Sequence, residues 1–181
     1  MEQIKVIFFL LGSIFAQENS RIASAITEVT VDVPQKTITI TQQHIFTASE
    51  TETDYDLTKK QLKDIIQNQT LSEDLKEFCL QELVFEKAAN QLNATIVLSY
   101  KKMEDLRSMG LFTTKEGQLS HIHIPDWNIS SEQGTLKGKY WYFSVDTPFS
   151  FTIDMNTKMN ASYKDKLQSL LPVWEELTGA K

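Results

Sequence analysis

The stretch ITEVTVDVPQKTITIT, residues 26–41, decides the fold because it alternates apolar and polar residues with a period of two. In residues 26–33 valines alternate with acidic residues and threonines, and in residues 37–41 isoleucines alternate with threonines. Such alternation is typical of strands with one buried side and one solvent-facing side. Pro34 opens the short segment between them, so the stretch predicts an antiparallel hairpin with valine and isoleucine on its core side.

Further hairpins and helices follow in the middle of the chain. Thr51 followed three residues later by Asp54 is a helix-capping pattern, and apolar residues recur behind it with helical spacing. The predicted elements are a helix at 53–67, a hairpin of strands 80–87 and 92–100, a short helix at 102–109, and a hairpin of strands 111–113 and 119–124.

The last third of the sequence predicts one more hairpin and one more helix. Aromatic and aliphatic residues alternate in residues 141–145 and again in residues 149–153, which predicts two paired strands. In residues 163–177 apolar residues recur at three- and four-residue steps, which predicts an amphipathic helix. Ser162 is its expected cap, and Pro172 should kink or break it.

The order of these elements defines the expected fold class. Successive hairpins imply antiparallel pairing, and helices set apart from the strands imply an α+β layering. We predict an antiparallel β-sheet built from successive hairpins and packed against two longer helices and one short helix. Because no segment is rich in Gly, Pro or Ser, residues 17–181 are expected to form a single α+β domain.

The N-terminal residues have the pattern of an export signal. The apolar run VIFFLLGSIF, residues 6–15, follows Lys5 and precedes Ala16, as in a secretory signal peptide. It is shorter than the roughly 20 apolar residues that cross a bilayer. We expect residues 1–16 to be a cleaved signal peptide and the mature protein to be periplasmic, envelope-associated or secreted, without a transmembrane segment. The alternatives are a buried N-terminal strand or an uncleaved anchor.

Charge and cysteine content exclude several classes of protein. The 181 residues carry 18 basic and 24 acidic side chains, a net charge of −6, and no basic block. Binding to nucleic acid through its phosphates is therefore not expected. The single cysteine, Cys79, cannot form an intramolecular disulfide. We expect Cys79 to fill a small apolar position in the core.

Four asparagines match the acceptor pattern for N-glycosylation, namely Asn68, Asn93, Asn128 and Asn160. Their number favours a eukaryotic secretory origin. The lone cysteine and the glutamine that follows Ala16 favour a bacterial envelope, where these sites would be inert. Both origins remain open at this point.

Familiar catalytic motifs are absent from the sequence. It has no Gly-rich phosphate loop, no GxGxxG, no HExxH, no GxSxG and no paired CxxC. Catalytic triads are recognised by geometry and not by sequence order, so an enzyme is not excluded. The pattern nevertheless gives no reason to propose one, and we expect a non-enzymatic protein without a resident cofactor.

His121 and His123, with Asp126 close behind, are the candidate metal ligands. Two histidines at alternate positions of a strand point to the same side, about 6.5–7 Å apart. They could share a zinc-like ion if Asp126 or His44 supplied a third ligand. The competing interpretation places the isoleucines that alternate with them in the core and both histidines in solvent.

Tyr140 and Tyr142 are the candidate binding residues. They alternate with Trp141 and Phe143, so an inward Trp141 and Phe143 would leave two tyrosines as an exposed aromatic strip. Such a strip could stack on a sugar or contact a partner protein. In the competing interpretation, helices cover both faces of the sheet and all four rings are buried.

These observations give one leading hypothesis and two alternatives for function. The leading hypothesis is a small, exported, non-enzymatic domain that binds a protein, a glycan or an envelope component. The first alternative is a carrier of lipid or another hydrophobic ligand, with a cavity between a curved sheet and the helices. The second is a metal-dependent enzyme that uses His121 and His123.

Overall fold

A computed structural model describes residues 22–47, 51–69, 75–157, 159, 161–165 and 167–180. The predicted signal peptide, residues 1–16, lies outside these ranges. The side chain of Ser162, the predicted helix cap, also lies outside the described part of the molecule.

The strands in these ranges form two antiparallel sheets. In chain order they are β1 (Ile22–Asp32), β2 (Thr37–Thr47), β3 (Cys79–Ala88), β4 (Gln91–Ser99), β5 (Leu111–Thr113), β6 (Leu119–Ile122), β7 (Ile129–Ser130), β8 (Thr135–Lys137), β9 (Tyr140–Phe143), β10 (Phe149–Asp154) and β11 (Gln168–Ser169). The larger sheet has the order β3-β4-β2-β1-β10-β7, with β11 paired to β2, and the smaller sheet has the order β5-β6-β9-β8.

The first predicted hairpin is confirmed and lies in the middle of the larger sheet. In β1 and β2, Val29 is opposite Ile40 and Val31 is opposite Ile38. All four side chains are fully buried. The threonines between them point to the other face, as alternation along a strand requires.

The helix predicted at 53–67 is confirmed as α1 (Glu52–Asn68). The Thr51 hydroxyl accepts a hydrogen bond from the Asp54 amide at 3.1 Å, which satisfies one of the free N–H groups at the helix start. Leu62 and Ile65 are buried against the sheet core. A helix that spans a membrane needs about 20 apolar residues, and no helix in the described ranges meets that requirement.

The other elements predicted in the middle of the chain are also confirmed. β3 and β4 form the second hairpin, β5 and β6 form another, and a 3-10 helix covers Met103–Met109. A second 3-10 helix covers Pro125–Trp127. The expectation for Cys79 is wrong: its side chain is exposed, because it begins a strand at the edge of the larger sheet.

The predicted hairpin of residues 141–145 and 149–153 is wrong. β9 pairs with β6 and β8, whereas β10 pairs with β1 and β7 in the other sheet. The rings of Phe143 and Phe149 stack face to face with their centroids 4.2 Å apart. The two strands therefore meet through side chains between layers and not through backbone hydrogen bonds within one layer.

The C-terminal segment forms two short helices instead of one long one. They are α2 (Ala161–Lys164) and α3 (Leu171–Thr178), with β11 between them. The predicted break at Pro172 is confirmed, since this residue lies in the first turn of α3, where its missing N–H leaves no hydrogen bond unmade. Leu170 donates its amide to the Ile45 carbonyl at 3.2 Å, which attaches this segment to β2.

The core lies on one face of the larger sheet. The register places Val29 beside Ile40 and Phe151, so these side chains share that face. The smaller sheet packs over the face at β10, where Phe143 contacts Phe149 and Phe151. Helices α1 and α3 lie over the same face near β3. The result is an α+β fold of hairpin-built antiparallel sheets, as predicted.

Candidate functional site

The candidate site is the outer face of the smaller sheet. Cross-strand register places Leu111, His121 and Trp141 side by side, and this row points toward the larger sheet. The residues adjacent to them in each strand point the other way. We call this outward set the tyrosine face; it comprises Phe112, Ser120, Ile122, Thr135, Lys137, Tyr140 and Tyr142.

Aromatic rings dominate the tyrosine face. Tyr140 is 44% exposed and Phe112 is 40% exposed, while Tyr142 is half-buried. The ring centroids of Tyr140 and Tyr142 lie 6.5 Å apart with their planes inclined at 58°. On the opposite face Phe143 is buried and Trp141 packs against the core. Of the two arrangements that the sequence left open, the structure has the one in which the tyrosines lie on the opposite side of the sheet from Trp141 and Phe143; helices do not bury all four rings.

The charge on the tyrosine face differs from that of the whole protein. Lys137 places its ammonium group 6.0 Å from the ring centroid of Tyr142. A cation over an aromatic face contributes about 0.5–1 kcal/mol at an exposed position. None of the seven residues of the face is a carboxylate, although the chain has a net charge of −6. The face is therefore aromatic and locally cationic on an acidic protein.

Gly134 allows the chain to reach this sheet. The backbone that leads into β8 crosses the rings of Trp141 and Phe143 so closely that a Cβ atom at Gly134 would lie 2.6 Å from Phe143 Cε1 and 2.9 Å from Trp141 Cε3. The Gly134 amide donates to the Ser131 hydroxyl at 3.0 Å, which holds this segment in place. The residue without a side chain thus permits the close approach that completes the sheet.

The predicted solvent exposure of His121 is wrong. Its side chain is fully buried, and its ring lies 5.1 Å from the ring of Phe151 in the larger sheet. Neither ring nitrogen has a hydrogen-bond partner among the described residues. Burial lowers the pKa of His121 to about 4; the Ile122 backbone opposes this shift, and the nearby His123 adds a smaller lowering effect. The register explains the error, because His121 shares the inward row with Leu111 and sends Ile122 outward.

His123 and Asp126 do not complete a metal site with His121. His123 Nδ1 accepts a hydrogen bond from the Trp141 indole at 3.3 Å, and Asp126 lies exposed in the second 3-10 helix. His44 lies on β2 with its ring near Phe46. In the described ranges no three His, Cys, Asp or Glu side chains are grouped so that they could hold a metal ion.

A cleft lies where the carrier hypothesis places its cavity. It has a volume of about 290 Å³ and opens to solvent between β3, α1 and α3, with Ile66, Leu83, Phe85 and Trp174 among its lining residues. Pockets for small organic ligands usually measure about 300–1,000 Å³ and enclose most of the ligand. At about 290 Å³, this cleft lies just below that range and is open to solvent.

The candidate glycosylation sites differ in accessibility. Asn68, at the end of α1, and Asn128, after the second 3-10 helix, are exposed. Asn93 is half-buried, and its side-chain carbonyl accepts a hydrogen bond from the His44 amide at 3.0 Å. Asn160 lies outside the described residues.

Sequence reasoning found the two tyrosines of the face but missed Phe112, Ile122 and Lys137. These three belong to other strands, and they become neighbours of the tyrosines only through the pairing of β5, β6, β8 and β9. The alternation within residues 119–122 was a usable signal, but it left open which of its two sides faces inward.

Fold and site together define a two-sheet α+β domain with an exposed aromatic face on its smaller sheet. No known protein family, curated protein or solved structure matches the chain.

Proposed function

We propose that this chain is an exported, non-enzymatic binding domain whose contact surface is the tyrosine face and whose partner is a protein of the envelope or the extracellular space. The observation that carries the proposal is the position of the exposed Tyr140 and Phe112 and the half-buried Tyr142 on the solvent side of a sheet whose other side is packed.

The composition of the tyrosine face supports a protein partner. Aromatic residues are enriched in the buried centres of protein interfaces, where they contribute large contact areas at a small cost in side-chain entropy. Phe112 and Ile122 add apolar area without polar groups beside the tyrosines. A sugar-binding surface needs polar groups to pair with the many hydroxyls of its ligand. Apart from the tyrosines, this face has the hydroxyls of Ser120 and Thr135, and Ser120 is buried and already donates to the Phe112 carbonyl at 3.2 Å. This face therefore favours a protein over a glycan.

Charge supports a particular kind of partner. Lys137 lies beside Tyr142, and no carboxylate of the tyrosine face opposes it. The protein as a whole has a net charge of −6, which disfavours contact of an acidic partner with its other surfaces. The matching partner has an apolar centre with acidic residues at its rim, so that its charge meets Lys137.

Export is supported by the N-terminal sequence. Residues 1–16 combine a charged start, an apolar run and Ala16 at the expected cleavage position. We therefore expect the partner to be present in the compartment to which the protein is exported.

Photo-crosslinking tests the proposal in the cells that produce the protein. Benzoylphenylalanine is introduced at Tyr140, at Tyr142 and, as a control, at Thr39 on the open face of the larger sheet. The expected result is one crosslinked protein, identified by mass spectrometry, from the two tyrosine positions and not from Thr39. The double variant Tyr140→Ala/Tyr142→Ala should weaken binding to that purified protein at least about tenfold.

Two results would contradict the proposal. The first is an equal crosslinking pattern at all three positions. The second is an unchanged affinity in the double variant while its melting temperature equals that of the wild type. If the wild type binds immobilised glycans and the double variant does not, the partner is a glycan and not a protein.

A further inference from the structure

The two sheets meet at a cluster of aromatic rings that contains one buried histidine. Phe143 of the smaller sheet stacks on Phe149 at 4.2 Å between centroids and lies 5.9 Å from Phe151. His121, also in the smaller sheet, lies 5.1 Å from Phe151. We call these four side chains the sheet joint. It is a contact through which the smaller sheet is fixed to the larger one.

His121 is suited to the sheet joint only as a neutral ring. Its side chain is fully buried, and both Nδ1 and Nε2 lack a hydrogen-bond partner among the described residues. A protonated imidazole has two N–H donors, and no described side chain offers either of them an acceptor in this apolar environment. Burying such a charge without a partner is strongly unfavourable.

The side chains around His121 offer no compensation for a positive charge, and the Ile122 backbone, which favours the charged ring, does not offset the effect of burial. Leu111 of β5 and Trp141 of β9 flank it across the smaller sheet, and Phe151 of β10 faces it from the larger one. None of these three side chains ionises. The titratable neighbour is His123, which follows β6 in the chain and whose electrostatic influence also lowers the pKa of His121.

We propose that the sheet joint is an acid-sensitive contact in which protonation of His121 separates the smaller sheet from the larger one while the larger sheet stays folded. The opening is confined to the smaller sheet because the buried ionisable group, His121, lies in that sheet. In the described core of the larger sheet, the side chains around Val29 and Ile40, which include Phe151, do not titrate. Burial raises the pKa of the buried Tyr100, which follows β4, above its usual value of 10, so Tyr100 keeps its charge state between pH 7 and pH 4.

The direction of the pH effect follows from linkage between protonation and opening. In the closed joint the pKa of His121 is lowered to about 4, whereas in an opened, hydrated joint it returns toward 6.5. The open state therefore binds more protons between these values, and the joint loses stability as pH falls below 6.5. At pH 4 the population of the open state should be on the order of 100-fold higher than at pH 7.

Amide hydrogen exchange followed by mass spectrometry measures this opening strand by strand in the full chain. Exchange rates are corrected for their intrinsic dependence on pH. Protection of β6 and β9 is expected to fall on the order of 100-fold between pH 7 and pH 4, with β2 and β4 unchanged. In His121→Leu, which removes the titrating group and keeps an apolar side chain, β6 and β9 should stay protected at pH 4. The control His44→Asn should behave like the wild type.

Three outcomes would overturn the proposal. They are equal loss of protection in both sheets, an unchanged acid response in His121→Leu, and protection of β6 and β9 in the wild type at pH 4. If His121→Leu does not fold, NMR titration of the His121 ring in the wild type decides instead. A pKa well below 6.5 with line broadening of β6 and β9 signals on acidification supports the proposal, and an ordinary pKa overturns it.

Discussion

At the scale of single residues, the closest packing in the smaller sheet occurs at Gly134. Replacing it with alanine would place a Cβ atom 2.6 Å from Phe143, whose ring is held against Phe149 and cannot withdraw freely. We expect Gly134→Ala to lower the free energy of unfolding by about 1–3 kcal/mol, the usual cost of overpacking a core. Urea denaturation measures the change.

Gly138 provides the matched control for this substitution. It has a φ of 62°, and a Cβ atom there would have no neighbour within 4 Å. Asparagine tolerates this backbone region better than other residues with a side chain, so Gly138→Asn should leave stability nearly unchanged. If Gly134→Ala and Gly138→Asn were equally stable, the close approach at Gly134 would not limit the packing of this sheet.

Single residues also show how far the candidate site could be predicted from the sequence. Alternation reveals which residues share a side of a strand but not which side faces inward. For Tyr140 and Tyr142 the sequence left two arrangements open, and only the packing of Trp141 and Phe143 toward the core decides between them. For His121 the interpretation that the ring faces solvent and the isoleucine after it faces the core was wrong. Its row also contains Leu111 and Trp141, and burying these outweighs the cost of burying one neutral imidazole.

At the scale of elements, the start of α1 depends on one side chain. The Thr51 hydroxyl accepts the Asp54 amide and donates to the Asp54 carboxylate at 2.8 Å. Thr51→Ala removes both bonds and should lower the free energy of unfolding by about 1 kcal/mol. The control Thr53→Ala changes an exposed threonine in the first turn and should have little effect. Equal denaturation midpoints for the two variants would contradict the capping role.

Elements whose partners are close in the chain were predicted well, and those with distant partners were not. The strands β1 and β2 are joined by four residues, so pairing with each other is the simplest way to satisfy their backbone groups. β9 and β10 are also close in sequence, yet each pairs with strands from earlier in the chain. Their aromatic alternation required burial of Phe143 and Phe149, and stacking between two sheets satisfies that requirement as fully as a hairpin does.

At the scale of the whole molecule, the smaller sheet has two faces with different properties. Its inner face holds the sheet joint with His121, and its outer face holds Tyr140, Tyr142 and Lys137. Local sequence patterns predicted the α+β class but not the division into two packed sheets. That division depends on pairing between strands that are far apart in the chain, which the local alternation of residues does not reveal.

The whole chain also contains a segment that should not belong to the mature protein. Every residue of the described fold, which begins at Ile22, follows the expected cleavage position after Ala16. We expect the exported protein to begin at Gln17, and intact mass together with N-terminal sequencing measures this directly. Leu10→Arg interrupts the apolar run and should leave the chain unprocessed inside the cell, whereas the control Gln3→Arg, outside the run, should be processed normally. Mature protein that keeps residues 1–16 would contradict the export proposal, and it would leave the binding role of the tyrosine face to be tested in another compartment.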